Sequence, residues 1–493
     1  MEGRKNMLER RDLQGDIFNG AMEEWLLREV EEDHPLLKLY HLLKGEDLVG
    51  QEIRGYYARG EGRPSESSEI LLRMHLLEYL YNLSDREVVR ECKVNLLFRL
   101  FVGLKPFEKV PDDTTLVKFR ARLGKEGFKK IFDRYVAKCN ELGLIKGKLK
   151  AVDATHIIAD VAIPTTAELI RQGRERIIKK VKEKNEKRAK ELENRYKSLK
   201  KRGRVGKEEL LKEVELTRAL LSEVESDEEV KGVAFQVEDL LKGNPERVVS
   251  WVDPEAKVGY KSPKKPFLGY KVHAIVDEES GLVTTIDTLA GNENEGTKFK
   301  EMVEEELRKG LKMEEMVADK LYDSGENRRY LRERNIQGYI PFRVDSPQID
   351  DFFFDGQGLR CPGGKYTQRS IPQGAGELYY FSVTDCSRCA LKGRCVSPSE
   401  VRKKVYLSTS RREKLLYGRV KEERKDRYRR RSVIERKFGE AKKWHGLGRA
   451  RFRGFHKVAI QSLLTFLVMN LKRVAKLLPS SLGFQREKCV LMT

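Results

Sequence analysis

Apolar residues begin to recur at three- and four-residue spacing from Ser68. There ILLRMHLLEYLYNL predicts a helix. Ser84-Asp-Arg-Glu87 follows as a capping-box match that opens a second helix. LLFRLFVGL, a loop over Pro106 to Pro111 and Asp113-Thr-Thr-Leu lead into a third, extended by GFKKIFDRYVAKCNEL. Residues 1 to about 60 are charged and poorly periodic, and no element is assigned to them. Short helices with tight turns and exposed Arg and Lys suit a helix-turn-helix-like DNA-binding module. A helical packing domain without groove contact fits the same pattern.

At Gly147 the period changes to two. KLKAVDATHIIADVA alternates and is rich in Val, Ile and Ala, which predicts a strand centred near Asp153. From Ala167 to about Gly243 the chain is highly charged and helical. Ile178, Val181, Leu192, Tyr196 and Leu199 approximate a heptad seam up to Gly203-Arg-Val-Gly206, and Leu210, Val214, Leu221 and Val224 resume it. Two arms about a glycine break predict an antiparallel, coiled-coil-like hairpin. Strand period returns in GYKVHAIVDEES and GLVTTIDTLAG, joined as a hairpin. A helix over Thr297 to Lys309, a short strand ending at Asp319, a helix over Gly325 to Arg334 and a strand over Gly338 to Arg343 complete the series.

Three strands, helix, strand, helix, strand reads as a mixed α/β sheet, in the order used by ribonuclease H-like domains. The expected organisation is an N-terminal helical, DNA-binding domain (1–145), a first part of the core (146–166) and a helical-hairpin insertion (167–245). The core continues (246–345) and is followed by a Cys-rich insertion (346–425), a late helix with C-terminal core helices (426–478) and a tail (479–493).

Charge sharpens this picture. The 493 residues carry a formal net charge of +21, which favours a polyanionic partner. From Val401 to Ile460 there are 22 Lys and Arg against 6 Asp and Glu, so the excess is local and suits phosphate contact. No uninterrupted apolar run reaches the roughly 18–20 residues that span a bilayer, and the N-terminus has no signal-peptide core. A cytoplasmic location without membrane attachment is expected.

The basic region contains YRRRSVIERKFGEAK, Tyr428 to Lys442. Read as one helix, it puts Tyr428, Arg431, Glu435 and Lys442 on a narrow stripe, an acid inside a cationic face. Asp153 in a central strand is costly unless it binds something, and Asp319 ends another strand, where open α/β sheets bind ligands. With Glu435, these acids suit hard divalent cations held through oxygen. On spacing alone, three ordinary edge and turn acids are an equally open reading.

The Tyr-x2-Arg-x3-Glu-x6-Lys spacing resembles the signature around the last acid of DDE transposases from prokaryotic insertion sequences. AVDATHIIAD around Asp153, VADKLYDSGENRRYL around Asp319 and the later HGLGRARFRGFHKV extend the resemblance. Ser84-Asp-Arg-Glu and PDDTTLVKFR look like that family's N-terminal part. The resemblance implies a transposase that cuts element ends and joins the freed 3′-hydroxyl to target DNA, acting on terminal inverted repeats as a homodimer or higher assembly. It implies Asp153, Asp319 and Glu435 as ligands of two Mg²⁺ or Mn²⁺ ions. It implies Tyr428, Arg431 and Lys442 as contacts to DNA near the scissile phosphate. Leu321 departs from the pattern, since a small residue commonly follows Asp-Lys, and it is expected to alter the turn. The alternatives are a ribonuclease H-like nuclease that only hydrolyses and an inactive, transposase-derived DNA-binding protein.

Trp444, His445, Arg449, Arg451 and Arg453 interleave aromatic and basic residues, a mixture suited to DNA-backbone contact and base stacking. Core anchoring by Trp444 is the competing reading. His156 and Asp160 stand an odd number of positions from Asp153 and are assigned to packing and structure; His273 and Asp277 on the second strand are within reach of the site, with a surface or packing role the preferred reading. Cys361, Cys386, Cys389 and Cys395 include a Cys-x2-Cys pair and suit a structural, tetrahedral zinc site, against four buried thiols without metal. Cys92, Cys139 and Cys489 are isolated.

Overall fold

The computed structural model describes residues 17–57, 65–105, 108–162, 164–197, 206–243, 248–262, 264–341, 351–416 and 422–478. Six helices precede the sheet: α1 (Ile17–Glu29), α2 (Pro35–Leu43), α3 (Ser68–Leu80), α4 (Asp85–Val94), α5 (Leu96–Val102) and α6 (Asp113–Glu141). The Ser84 box forms as read, with Ser84 Oγ accepting from Glu87 N and Glu87 Oε2 accepting from Ser84 N. Asp112 caps α6, which starts at Asp113 as read. Gly124 kinks α6 at φ 57°, ψ −172°, a conformation that favours glycine. The poorly periodic start does contain helices. α2 buries Leu36, Leu37, Leu39 and Leu43, a run too short to show a period.

The principal sheet contains β1 (Leu149–Ile158), β2 (Lys257–Ser262), β3 (Lys265–Asp277), β4 (Val283–Ala290), β5 (Glu315–Val317) and β6 (Gln337–Tyr339). Its spatial order is β4-β3-β1-β5-β6, with β2 also pairing β3. β3 is antiparallel to β1 and to β4, while β5 runs parallel to β1 and β6 parallel to β5. The mixed α/β sheet is thus the one expected, with β2 as an unforeseen addition. Gly269 lets the strands approach: a Cβ there would stand 2.0 Å from Ile157 O.

Between β1 and β2 lie α7 (Thr166–Lys184), α8 (Glu186–Arg195), α9 (Lys207–Glu223) and α10 (Lys231–Lys242). They form a small helical cluster rather than the expected two-armed hairpin. Asn185 ends α7 and caps α8, so α8 folds back on α7. Leu169, Ile177, Val181, Leu192, Leu220, Val237 and Trp251 make a core of their own. Of the predicted glycine break, residues 203–205 lie outside the described residues, as does Leu199 of the seam.

Helices α11 (Phe299–Arg308) and α12 (Gly325–Glu333) flank β5 in the chain. The expected end of the last strand, residues 342–343, lies outside the described residues. The Cys-rich insertion comprises two three-stranded sheets, β7 (Phe353–Phe354), β8 (Leu359–Arg360), β9 (Tyr366–Thr367) and then β10 (Ser370–Gln373), β11 (Gly376–Tyr380), β12 (Lys404–Ser408). It also holds α13 (Val383–Ser387), α14 (Lys392–Cys395) and α15 (Thr409–Leu416), and α15 packs on α12.

The stretch from Tyr428 to Lys442 is not one helix. α16 (Glu422–Arg429) stops, Arg430 and Arg431 form a turn, and α17 (Ser432–Trp444) begins. Arg431 keeps helical torsions, φ −55° and ψ −24°, so the side-chain stripe survives the break. The last helix, α18 (Phe455–Leu477), is long and apolar enough to cross a membrane, contrary to the sequence reading, but it is mostly buried inside the protein. Asn470 on α18 ties it to the outer edge of β4, donating to Val283 O at 2.7 Å and accepting from Val283 N at 2.8 Å.

The N-terminal helices have no core apart from the sheet. Leu72, Phe119 and Phe132 belong to the same buried cluster as Val272 and Ala274 of β3, Ile434 of α17 and Leu464 and Leu467 of α18. The boundary expected at residue 145 therefore divides the chain but not the packing.

Candidate active site

Two acids are brought together by strand register. β1 and β5 pair in parallel as Leu149↔Glu315, Lys150↔Met316 and Ala151↔Val317. Two residues further along both chains stand Asp153 and Asp319, which share one face of the pleat because side chains alternate with period two. Asp319 caps the 3-10 turn Lys320–Tyr322, accepting from Leu321 N at 2.6 Å. Leu321 is half exposed and lies outside the positive-φ set, so the turn accommodates it without backbone strain.

α17 crosses β1 and brings the third acid. Arg431 Nη1 donates to Asp153 Oδ2 at 2.6 Å, and its Nη2 donates to Glu435 Oε1. Asp153 and Arg431 side chains are 16% and 18% exposed, whereas Glu435 is 54% exposed. Burial pushes the Asp153 carboxyl up to about 7; Arg431 and the Ala154 N–H oppose this, while Asp319 and Glu295 add to it. Tyr428 is half buried against the main core, with the Arg431 guanidinium 5.9 Å from its ring centre.

Lys442, at the far end of the stripe, is partly buried, and desolvation followed by Lys261 pushes its ammonium down to about 8. His156 stands opposite Lys271 in the β1–β3 register, on the other face from Asp153 as expected, and its ring packs on Phe267. Burial, then Lys442 and Lys261, holds it down to about 4. His273 is wholly buried and shares a 2.9 Å hydrogen bond with the Tyr322 hydroxyl. Asp277 pairs with Lys150 at 3.1 Å on the sheet face away from Asp153. Both side chains are thus held in contacts within the fold, the packing alternative of the sequence reading.

The segment after α17 links three parts of the molecule. Ile158 N donates to Gly448 O and Ala450 N to Ile158 O, continuing the edge of β1. Arg449 Nε donates to Asp160 at 2.8 Å. Arg451 Nη1 donates to Leu83 O at 2.8 Å, and its guanidinium lies 4.5 Å from the Tyr79 ring centre. His445 Nδ1 meets Tyr79 O at 2.7 Å. Arg453 is exposed, and Trp444 is 60% exposed, which excludes core anchoring for Trp444.

Glu295 was missed in the sequence. It lies in the 3-10 turn Glu295–Thr297, which packs on the Lys320–Tyr322 turn, and pairs with Lys271 at 2.9 Å. Its contribution to the field at Asp153 is fixed by two loops meeting, for which one-dimensional spacing carries no signal.

The carboxylate set fits a hard divalent cation. Its donors are all oxygen, two of them follow adjacent strands in register, and the raised Asp153 carboxyl shows that its ionised form lacks sufficient compensating charge. The tightest carboxylate–histidine group is elsewhere: His75, Glu78 and Asp85 place ligand atoms within 4.8 Å of one another. Arg120 grips both Asp85 oxygens and lies 3.7 Å from Glu78, so that group is a closed ion-pair network inside the helical region.

Residues 24–122 match the family "Transposase domain (DUF772)", and residues 241–471 match the family "Transposase DDE domain". A Rhizobium meliloti protein, "Uncharacterized protein ORF8 in nfe locus", is 27% identical over 159 residues, 31% of this chain and 75% of that protein. A piggyBac transposase synaptic complex with hairpin DNA is a distant structural neighbour, with a TM-score of 0.32 and 11% identity over 95% of this chain and 84% of that one. The first match lies in the N-terminal helices and the second takes in β3 to β6, α17 and most of α18, so over these regions the chain is similar to transposases of the DDE type.

Proposed function

We propose that the protein catalyses metal-dependent cleavage of DNA at the ends of an insertion sequence and transfer of the freed 3′-hydroxyl to target DNA. The core is read as ribonuclease H-like, an assignment supported by the strand order β4-β3-β1-β5-β6 and its mixed directions. The observation that carries the reading is the β1–β5 register, which leads Asp153 and Asp319 to one sheet face beneath Glu435 of α17. Asp153, Asp319 and Glu435 would hold Mg²⁺ or Mn²⁺. Two such ions, when bound, activate an attacking oxygen and stabilise a leaving one in phosphodiester chemistry.

The chain's own residues do the rest. Arg431 carries a fixed charge between two of the acids and is the group nearest a phosphate brought to them. Tyr428 fixes the Arg431 side by packing, and Lys442 extends the cationic stripe along α17. Trp444 and Arg453 offer an exposed aromatic and an exposed cation beyond it. Arg449 and Arg451 already make bonds within the chain, so their role in DNA contact is through the position of the loop that carries them. DNA with terminal inverted repeats is the expected partner, bound by a homodimer or a larger assembly acting in the cytoplasm.

Strand cleavage and transfer by the full chain, with Mg²⁺ or Mn²⁺ and DNA carrying the element's ends, tests this. Glu435→Gln is expected to lower cleavage by at least about 100-fold while leaving DNA binding in place. Unchanged cleavage in Glu435→Gln would remove the residue from the site. Cleavage without any joined product would make the protein a nuclease.

A further inference from the structure

The Cys-rich insertion has a core too small for its length. Among the described residues it buries Phe352, Phe354, Leu359, Tyr379, Phe381, Val405, Leu407 and a few neighbours, under two sheets whose strands are two to five residues long. Modules of this size commonly need a covalent or metal staple. All four cysteines of the insertion are free thiols, and all four line one cavity of about 330 Å³.

The backbone around them is shaped for sulfur ligands. Cys361 accepts from Gly364 N at 2.9 Å, and Cys386 O accepts from Cys389 N at 3.3 Å, so each arm is a tight turn. Cys386 Sγ accepts from Lys403 N at 3.4 Å, a bond that orients a thiolate. A Cβ on Gly363 would stand 3.2 Å from Cys389 Sγ and 3.7 Å from Cys361 Sγ, so a side chain there would crowd the space between two sulfurs. Lys365, Lys392, Arg394 and Lys403 also line the cavity, together with Asp351 and Asp385, and Lys365 stands 3.6 Å from Asp385.

We infer that Cys361, Cys386, Cys389 and Cys395 bind one Zn²⁺, which closes the insertion between β6 and α16. The donor set is four sulfurs, the set of closed structural sites, and no position is left for a reacting water. Zn–S bonds of about 2.3 Å require sulfurs roughly 3.8 Å apart. Among the described residues the four sulfurs do not meet the 4.8 Å spacing that His75, Glu78 and Asp85 meet, so loading draws the two arms inward.

The full chain, purified without chelator, is expected to contain about one zinc per chain by elemental analysis. Exchange for Co²⁺ is expected to give intense thiolate-to-cobalt charge transfer and the visible bands of a tetrahedral site. Cys389→Ser is expected to lose most of the zinc. Should that variant fail to fold, the cobalt spectrum of the unaltered protein decides. Absence of stoichiometric zinc, together with equal thiol reactivity with and without added Zn²⁺, would overturn the inference. Retention of full zinc content in Cys389→Ser would overturn the assigned ligands.

Discussion

At the scale of single residues, burial decides what each polar group does. Arg431 and Asp153 lie beneath the surface beside a half-exposed Glu435, so charge in this site is strongly coupled and weakly screened. His273 shows the complementary case. Desolvation, with Lys271 adding to it, holds its imidazole down to about 3, well below the ordinary 6.5. The folded state therefore refuses a proton that the unfolded chain takes up below pH 6.5. The sign follows: stability is full above pH 6.5 and falls as pH drops toward 3. A shift of this size amounts to about 3 kcal/mol lost by pH 4. His273→Gln, which cannot be protonated, is expected to flatten that part of the profile. Denaturant midpoints at pH 7 and pH 4 would check it, and equal acid sensitivity in both proteins would show that the neutral state of His273 is not the cause.

Among the elements, the inserted helices are the most self-sufficient, and their packing turns on a buried charge. Arg174 of α7 is wholly buried and pairs with Glu213 of α9, while its Nη1 also donates to Thr217 Oγ1 at 2.8 Å and to Glu213 O at 3.1 Å. Removing one partner of such a pair leaves a buried charge short of compensation and costs about 3–5 kcal/mol. Glu213→Ala is expected to loosen α7 and α9 by about that amount, seen as faster amide hydrogen exchange in both helices. Exchange in β1, β3 and α18 is expected to stay unchanged, because those elements share a different core. Faster exchange throughout the sheet would show that the insertion is not an independent unit.

For the whole molecule, one buried cluster joins the first helices, the sheet and the last helix. α18 packs against α6, α3 and α2 as well as β4, while His445 bonds to Tyr79 in the last turn of α3 and Arg451 to Leu83 between α3 and α4. A chain lacking residues 1–145 would expose the inner surfaces of α18 and lose partners for an already apolar helix. It is expected to aggregate or to lack a near-ultraviolet circular dichroism signal. A soluble, cooperatively melting fragment would show instead that the sheet and α17–α18 make a sufficient core, and that the expected boundary at 145 divides packing as well as sequence.

Local chemistry settled much of this in advance. The period-two runs gave β1, β3 and β4, the Ser84 box fixed the start of α4, and the spacing of Tyr428, Arg431, Glu435 and Lys442 marked one side-chain stripe, because each depends only on near neighbours along the chain. Other features depend on distant segments meeting. The turn at Arg430–Arg431 interrupts a run whose composition favours helix, and the apolar length of α18 is accounted for only by the helices and strands that cover it. Glu295 reaches the neighbourhood of Asp153 only because two loops pack together, and the insertion closes as a helical cluster because the chain reverses at Asn185 and packs α8 back on α7. The amino-acid sequence alone determined which acids and cations were available and on which faces they lie. The tertiary structure decided which of them meet, since register and shared burial arise only when separated segments pack.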